Sequence, residues 1–257
     1  MLISSAKYVL IRIAAPLALL VLLAYAVRWF GLIRPAVFPY PHEVLSAGWE
    51  SLGSAKTYGA ILVTLKRLFY VFLLSFGIGA FMSFLFHQFR ILEEIFALPV
   101  DVIRSIPIVT LFPLFITIWG FTEMTFLAVP ITLTSVIMYI HLSAGLKAVD
   151  PLRVSLMRRW GASRIQQIVH LHLPTVAPYL FTSLRICVSL QLILLLVAEM
   201  FLGARDGLGT VIYNNQAVLK YKEMYFFILL AGLIGWGINR FLEYLQRKVV
   251  FWEVSHA

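Results

Sequence analysis

Charge is scarce in this 257-residue chain: 13% of its residues are charged, and 12 Asp and Glu stand against 21 Lys and Arg. Soluble domains carry about a quarter charged residues, so an ordinary water-facing surface is excluded. The one cysteine, Cys187, lies in an apolar run, which excludes an internal disulfide. The sequence has no Walker-type phosphate loop, no heptads and no His/Cys cluster with metal-ligand spacing. His170 and His172 are two apart and so would not face each other on a helix. No nucleophile–base pair stands out, which argues against a membrane enzyme. Basic patches interleaved with aromatics on a polar surface are also missing, so the net charge of +9 does not speak for nucleic acid.

What remains is apolar. Hydrophobic residues make up 61% of the chain and the mean hydropathy is +0.91, as expected of an all-α, polytopic membrane bundle of about six transmembrane helices. A single domain over residues 1–257 is expected. A first span covers 8–30, and Ala24-Tyr25-Ala26 within it mimics a signal-peptide cleavage site; the segment is expected to be retained, with its N-terminus cytoplasmic. Core spans fall within 57–147 and 176–246, and a loop over 148–175 joins spans four and five. Lys147, Arg153, Arg158, Arg159 and Arg164 crowd that region while the opposite loops are near neutral. By the positive-inside rule both termini are cytoplasmic.

Phe38-Pro39-Tyr40-Pro41 is a proline-stiffened lead-in to a short helix over 42–52. The second span is expected over 68–86, where Ser75, Gly79 and Ser83 recur at i, i+4, i+8 and form a close-packing face. A turn over 87–94 and a broken segment over 95–120 follow, the latter with Pro99, Asp101, Arg104, Pro107 and Pro113. Such breaks persist at membrane depth only where protein or water satisfies the backbone. The segment is therefore either a kinked bundle helix or part of a substrate path. Between 148 and 175, Leu152, Leu156 and Trp160 recur at i, i+4, i+8 on one side of a helix. Gly161 interrupts it, and Pro174 and Pro178 are expected to end a second helical run. Residues 203–223 read as an outer loop with a tight turn at Gly207-Leu208-Gly209.

Several of these stretches carry a resemblance. Gly161, nine further residues and Leu171-His172-Leu173-Pro174 are similar to the cytoplasmic signature loop of ABC-importer permeases, with Ser155-Leu156-Met157 where that loop opens Glu-Ala-Ala. Phe38-Pro39-Tyr40-Pro41, Thr64-Leu65-Lys66-Arg67, Arg104-Ser105-Ile106-Pro107, Ala198-Glu199-Met200 and Gly207-Leu208-Gly209 follow in order the motifs of the binding-protein-dependent sulfonate/nitrate/taurine permeases. The resemblance covers nearly the whole chain and implies the type I ABC importer fold. It implies a permease subunit that binds no cofactor itself, ATP and Mg being held by a separate ATPase. The other partners implied are a second permease subunit, an external solute-binding protein and the bilayer. The setting implied is a bacterial inner membrane.

In this resemblance the loop becomes a coupling helix whose ATPase contacts would be Leu152, Arg153, Ser155, Leu156, Met157, Arg159, Trp160, Gly161, Ala162 and Pro174. Ser155 cannot supply the ion pair of the family's acidic residue. Either the apolar plug suffices in a homodimer, which is favoured, or the chain is a degenerate partner of a second permease. The loop arginines could instead rest on anionic lipid. Lys66, Arg67, Arg104, Ser105, Pro107 and Glu199 are candidates for the substrate path or gate. A cationic vestibule would suit an oxyanion, although Lys66 and Arg67 could equally snorkel and Glu199 could be a structural partner of one cation. The family also imports uncharged pyrimidines and flavins. A secondary transporter would need an intramembrane relay and internal repeats, which are not seen.

Overall fold

The computed structural model describes residues 37–252 continuously, together with 18–19, 21–22, 25–27, 29–31 and 34 before them. Most of the expected first span, 8–30, lies outside the described residues. All regular structure among the described residues from 37 to 252 is helical.

Helix α1, Pro41–Leu52, begins with proline at its first position, where the missing N–H costs nothing. The Glu43 carboxylate reaches back to the Tyr40 backbone N–H at 2.9 Å and accepts a hydrogen bond from Lys222 at 3.0 Å. Helix α2, Ala55–Gln88, starts well before the expected 68–86. At about 1.5 Å per residue its 34 residues extend some 51 Å, further than a bilayer core of about 30 Å. The apolar run therefore marked only the part of the helix that lipid and protein cover.

The predicted turn over 87–94 shrinks to the single residue Phe89. Helix α3, Arg90–Ser105, follows, then a 3₁₀ turn over Ile108–Leu111 and helix α4, Phe112–Trp119. The two halves are bent by 101° at Ile106-Pro107, one of the proline breaks expected in this segment. Helix α5, Glu123–Lys147, leads to α6, Pro151–Arg159, and α7, Arg164–Gln167. A π-helical turn over Ile168–His172 then runs directly into α8, Leu173–Phe201.

Pro174 and Pro178 thus do not end the second helical run. Pro174 sits in the first turn of α8 just after the widened π turn, in which the Leu173 N–H reaches Ile168 O. A proline here removes a donor where the regular i→i−4 ladder is already interrupted. The Thr182 hydroxyl donates to the Pro178 carbonyl at 2.9 Å. The expected loop over 203–223 is also corrected. It holds helix α9, Leu208–Ala217, which packs on α8 and on the last helix, α10, Tyr221–Val249.

Among the described residues four helices are long and apolar enough to cross a membrane, and the bent α3–α4 pair makes up to five. Helices α5 and α8 form the centre. They pack on each other, α2 covers α5, and α10 lies outermost. The small-residue face of α2 is the contact with α5. Ser75 Oγ and Thr134 Oγ1 are 2.7 Å apart, and the Ser83 hydroxyl donates to Tyr139 O at 3.0 Å. A Cβ on Gly79 would stand 2.5 Å from that of Met138. No residue but glycine fits there without moving a helix.

Candidate functional site

Two places gather the residues that the sequence singled out. The first is the elbow between α5 and α8. Asp150 caps α6, its side chain accepting the Leu152 N–H at 2.8 Å, with Pro151 next at the first helical position. Arg158 and Arg159 occupy the last turn, where cations suit the helix dipole. Gly161 ends the helix at φ +75°, its N–H bonding to Arg158 O and that of Ala162 to Met157 O, each at 3.0 Å. This pair of bonds is a Schellman turn. Ser163 and Gln166 then form a reciprocal capping box that starts α7. Every boundary of the elbow is therefore fixed by a local signal, and the whole runs into α8 without a flexible link.

The surface this presents is apolar at its tip. Trp160 is 83% exposed, Leu152 64% and Leu156 39%, while Met157 and Ala162 are half-buried. Arg153 lies beside Asp150 at 3.9 Å, Arg159 is exposed, and Pro174 is half-buried at the root of α8. The Ser155 hydroxyl donates to Leu152 O at 2.8 Å within its own helix, so its hydrogen is already used.

The second place is a buried charge cluster at the opposite end of the bundle. Glu199, 1% exposed near the end of α8, accepts hydrogen bonds from Arg67 Nη1 at 2.8 Å and from Gly209 N at 2.9 Å. The Thr64 hydroxyl lies 2.8 and 2.9 Å from its two oxygens and itself accepts the Leu208 N–H at 2.8 Å. Arg67 also donates to Asp206 O at 2.7 Å, grips Glu123 through Nε and Nη2, and lies over the Phe126 ring. A Cβ on Gly207 would collide with the Glu199 carboxylate, and one on Gly209 with the Leu196 carbonyl oxygen. Both glycines are there for close approach. Three separate motifs, Thr64-x-x-Arg67, Glu199 and Gly207-x-Gly209, thus converge on one point and tie α2, α5, α8 and α9 together.

The remaining candidates do not join this cluster. Lys66 is on the exposed face of α2, its ammonium 5.9 Å from the Tyr70 ring centre. Arg104 pairs at 3.2 Å with Asp101, both exposed, beside a groove of about 280 Å³ between α3 and α5 that also receives Glu93 and Lys147. The Ser105 hydroxyl donates to Asp101 O at 2.7 Å, and Pro107 caps the 3₁₀ turn at the break. Sequence reasoning missed Glu123 and Thr64 as members of the charged cluster. Glu123 opens α5 fifty-six residues from Arg67, and no local pattern joins the two.

The model of the "binding-protein-dependent transport system inner membrane component" family matches residues 75–251. The chain belongs to this family. The permease is 23% identical over 93% of its length to the putative aliphatic sulfonates transport permease protein SsuC of Bacillus subtilis, covering 86% of that protein. It is 26% identical over 92% of its length to the taurine transport system permease protein TauC of Escherichia coli, of which it covers 87%. Among solved structures, a chain of the inward-facing MetNI methionine ABC transporter superposes with a TM-score of 0.60 at 19% identity, covering 76% of this permease and 95% of that chain. The fold is that of the type I ABC importer permeases.

Proposed function

We propose that the α6–α7 elbow is the coupling surface of this importer permease, seated in a groove of a separate ATPase that holds the ATP and Mg. The observation that carries the reading is the exposure of Trp160, Leu152 and Leu156 on a helix whose two ends are locked by Asp150 and by the Gly161 turn. The exposed parts of these large apolar groups, most of all Trp160, add little to the packing of their own chain, and an apolar anchor needs a pocket. Leu152, Leu156, Met157 and Trp160 form the plug, with Arg153, Ser155 and Arg159 beside it. Because Ser155 bonds to its own helix, the plug rather than an ion pair supplies the contact. With the plug as the contact, a second permease carrying the acidic residue is not required, and a homodimer is the assembly we propose. The elbow then faces the cytoplasm and both termini lie on that side, as the cations of 147–164 require.

The solute we infer is a small oxyanion handed over by an external binding protein, a reading supported by the sulfonate and taurine relatives. Arg67 has no charge to spare for it, being held by two carboxylates. Lys66 lies on the exposed face of α2, so Arg104, exposed at the bent α3–α4 break and paired on one side with Asp101, is the candidate cation we assign to the anion.

Proteoliposomes carrying the complete importer test both parts. Leu156→Asp with Trp160→Ala should release the ATPase from detergent-purified permease and reduce uptake at least tenfold. Arg104→Gln should lower uptake with the complex intact. An ATPase that stays bound to the first variant would refute the elbow reading. Uptake of formylaminopyrimidine but not of taurine or alkyl sulfonates would refute the anion.

A further inference from the structure

The inner side of the elbow differs from its tip. Two adjoining cavities of about 490 and 470 Å³ lie where α6 and α7 fold back over the ends of α2, α5 and α8. They share His87, Leu146, Arg158, Gln167 and His172 as lining, and Arg164 borders the second. Among the described residues no acidic side chain lines either cavity. Neither Arg158 nor Arg164 has a carboxylate partner among the described residues, whereas Arg153, Arg240 and Arg247 each have one. Two guanidinium groups and two imidazoles thus surround a space with no counter-charge. Arginine forks match phosphate oxygens bidentately.

The second cavity also has an apolar wall. Phe84 of α2, Ile168 of the π turn and Leu173 at the start of α8 border it and are themselves exposed on the bundle surface. A free inorganic anion would make no use of that wall. A molecule with a phosphate head and hydrocarbon tails would use both, the head among the cations and a chain along Phe84, Ile168 and Leu173. Basic pockets between membrane helices commonly take such headgroups.

We propose that the cavity beneath the elbow, between Arg158, Arg164, His87 and His172, binds the headgroup of one anionic phospholipid from the adjacent leaflet. The site borders the seat proposed for the ATPase at Ser155 and otherwise uses different side chains. It uses the side of the elbow that faces the bundle and leaves Trp160 and Leu152 outward. A lipid held there fills the space beneath α6 and stiffens the elbow against the bundle.

The complete importer in nanodiscs of phosphatidylcholine with a minor fraction of phosphatidylglycerol, examined by native mass spectrometry, provides the test. We expect one phosphatidylglycerol retained per permease. Arg158→Gln with Arg164→Gln should weaken retention at least tenfold, Arg158→Lys with Arg164→Lys should largely restore it, and Arg247→Gln should leave it unchanged. Retention by the double glutamine variant overturns the site. So does equal competition by soluble glycerol phosphate, which would make it a plain anion pocket. Loss of the ATPase instead of the lipid would show that the missing counter-charge belongs to the partner protein. If phosphatidylglycerol is lost while the Leu156→Asp and Trp160→Ala variant still holds its ATPase, this site stands although the coupling reading has failed.

Discussion

Glu199 and Arg67 show how much of a buried charge is decided by its partners. Each would be costly alone in this interior, and together they are saturated by Thr64, Gly209, Asp206 and Glu123. Arg67→Met should therefore destabilise the permease by about 3–5 kcal/mol, because it leaves a buried carboxylate uncompensated. Combined with Glu199→Gln, the loss should fall short of the sum of the single effects by at least about 1 kcal/mol. Thermal unfolding in detergent reads both. Glu43 makes a milder case. Its carboxyl is held below the ordinary carboxylate range, first by the Tyr40 backbone N–H and then by Lys222. A carboxyl depressed in the folded state stabilises at pH above its unfolded value and loses that contribution as pH falls through the folded one. Glu43→Gln should thus cost at most about 1 kcal/mol at neutral pH, the range of solvent-screened pairs, and the difference from wild type should vanish below the ordinary carboxylate range. Apart from Glu123, which no motif marked, the residues of the Glu199 cluster lay in short motifs of the sequence. Their meeting was not, since Thr64 and Glu199 are 135 positions apart and only the packing of α2 on α8 brings them together.

At the level of elements, local signals and long apolar runs behaved differently. In the elbow the break at Gly161 was legible from the sequence, and Asp150, Pro151 and Ser163, which the sequence reading passed over, act just as locally on neighbours within one turn. Gly161→Ala puts a side chain on a residue at φ +75° and should cost about 1 kcal/mol at the turn. On the coupling proposed for the elbow, solute uptake should fall more than stability, a split that vesicle uptake and thermal unfolding measured side by side would reveal. Helix ends inside the bundle were less legible. Pro174 and Pro178 look like terminators, yet a π turn and the packing of α8 against α5 carry the helix through them. Helix α9 hid in a segment whose polarity suggested a loop, because its apolar face is short, Leu208, Val211 and Ile212, and its first turn is held by Glu199 from a distant helix.

For the whole molecule, class and membrane character followed from composition alone. The arrangement, with α5 and α8 central and α2 and α10 flanking, needed the structure. Of the most apolar stretch of α10, 17% of residues are buried, against 56% for α5. The flanks therefore face lipid or a second copy. Native mass determination of the purified complex should find two permeases of a single species and two ATPases. A second permease species would instead make this chain one half of a mixed pair.

From Arg164 to Phe201 the chain is one helix 38 residues long, about 57 Å at the usual rise. One end grows out of the elbow and the other is clamped at Glu199. Between the two, the wide π turn at Ile168–His172 is the place where the regular i→i−4 ladder gives way to i→i−5 bonding. On the coupling proposed for the elbow, a displacement entering there would meet this turn first, and the stiffness of five residues would set how far it travels toward the opposite face.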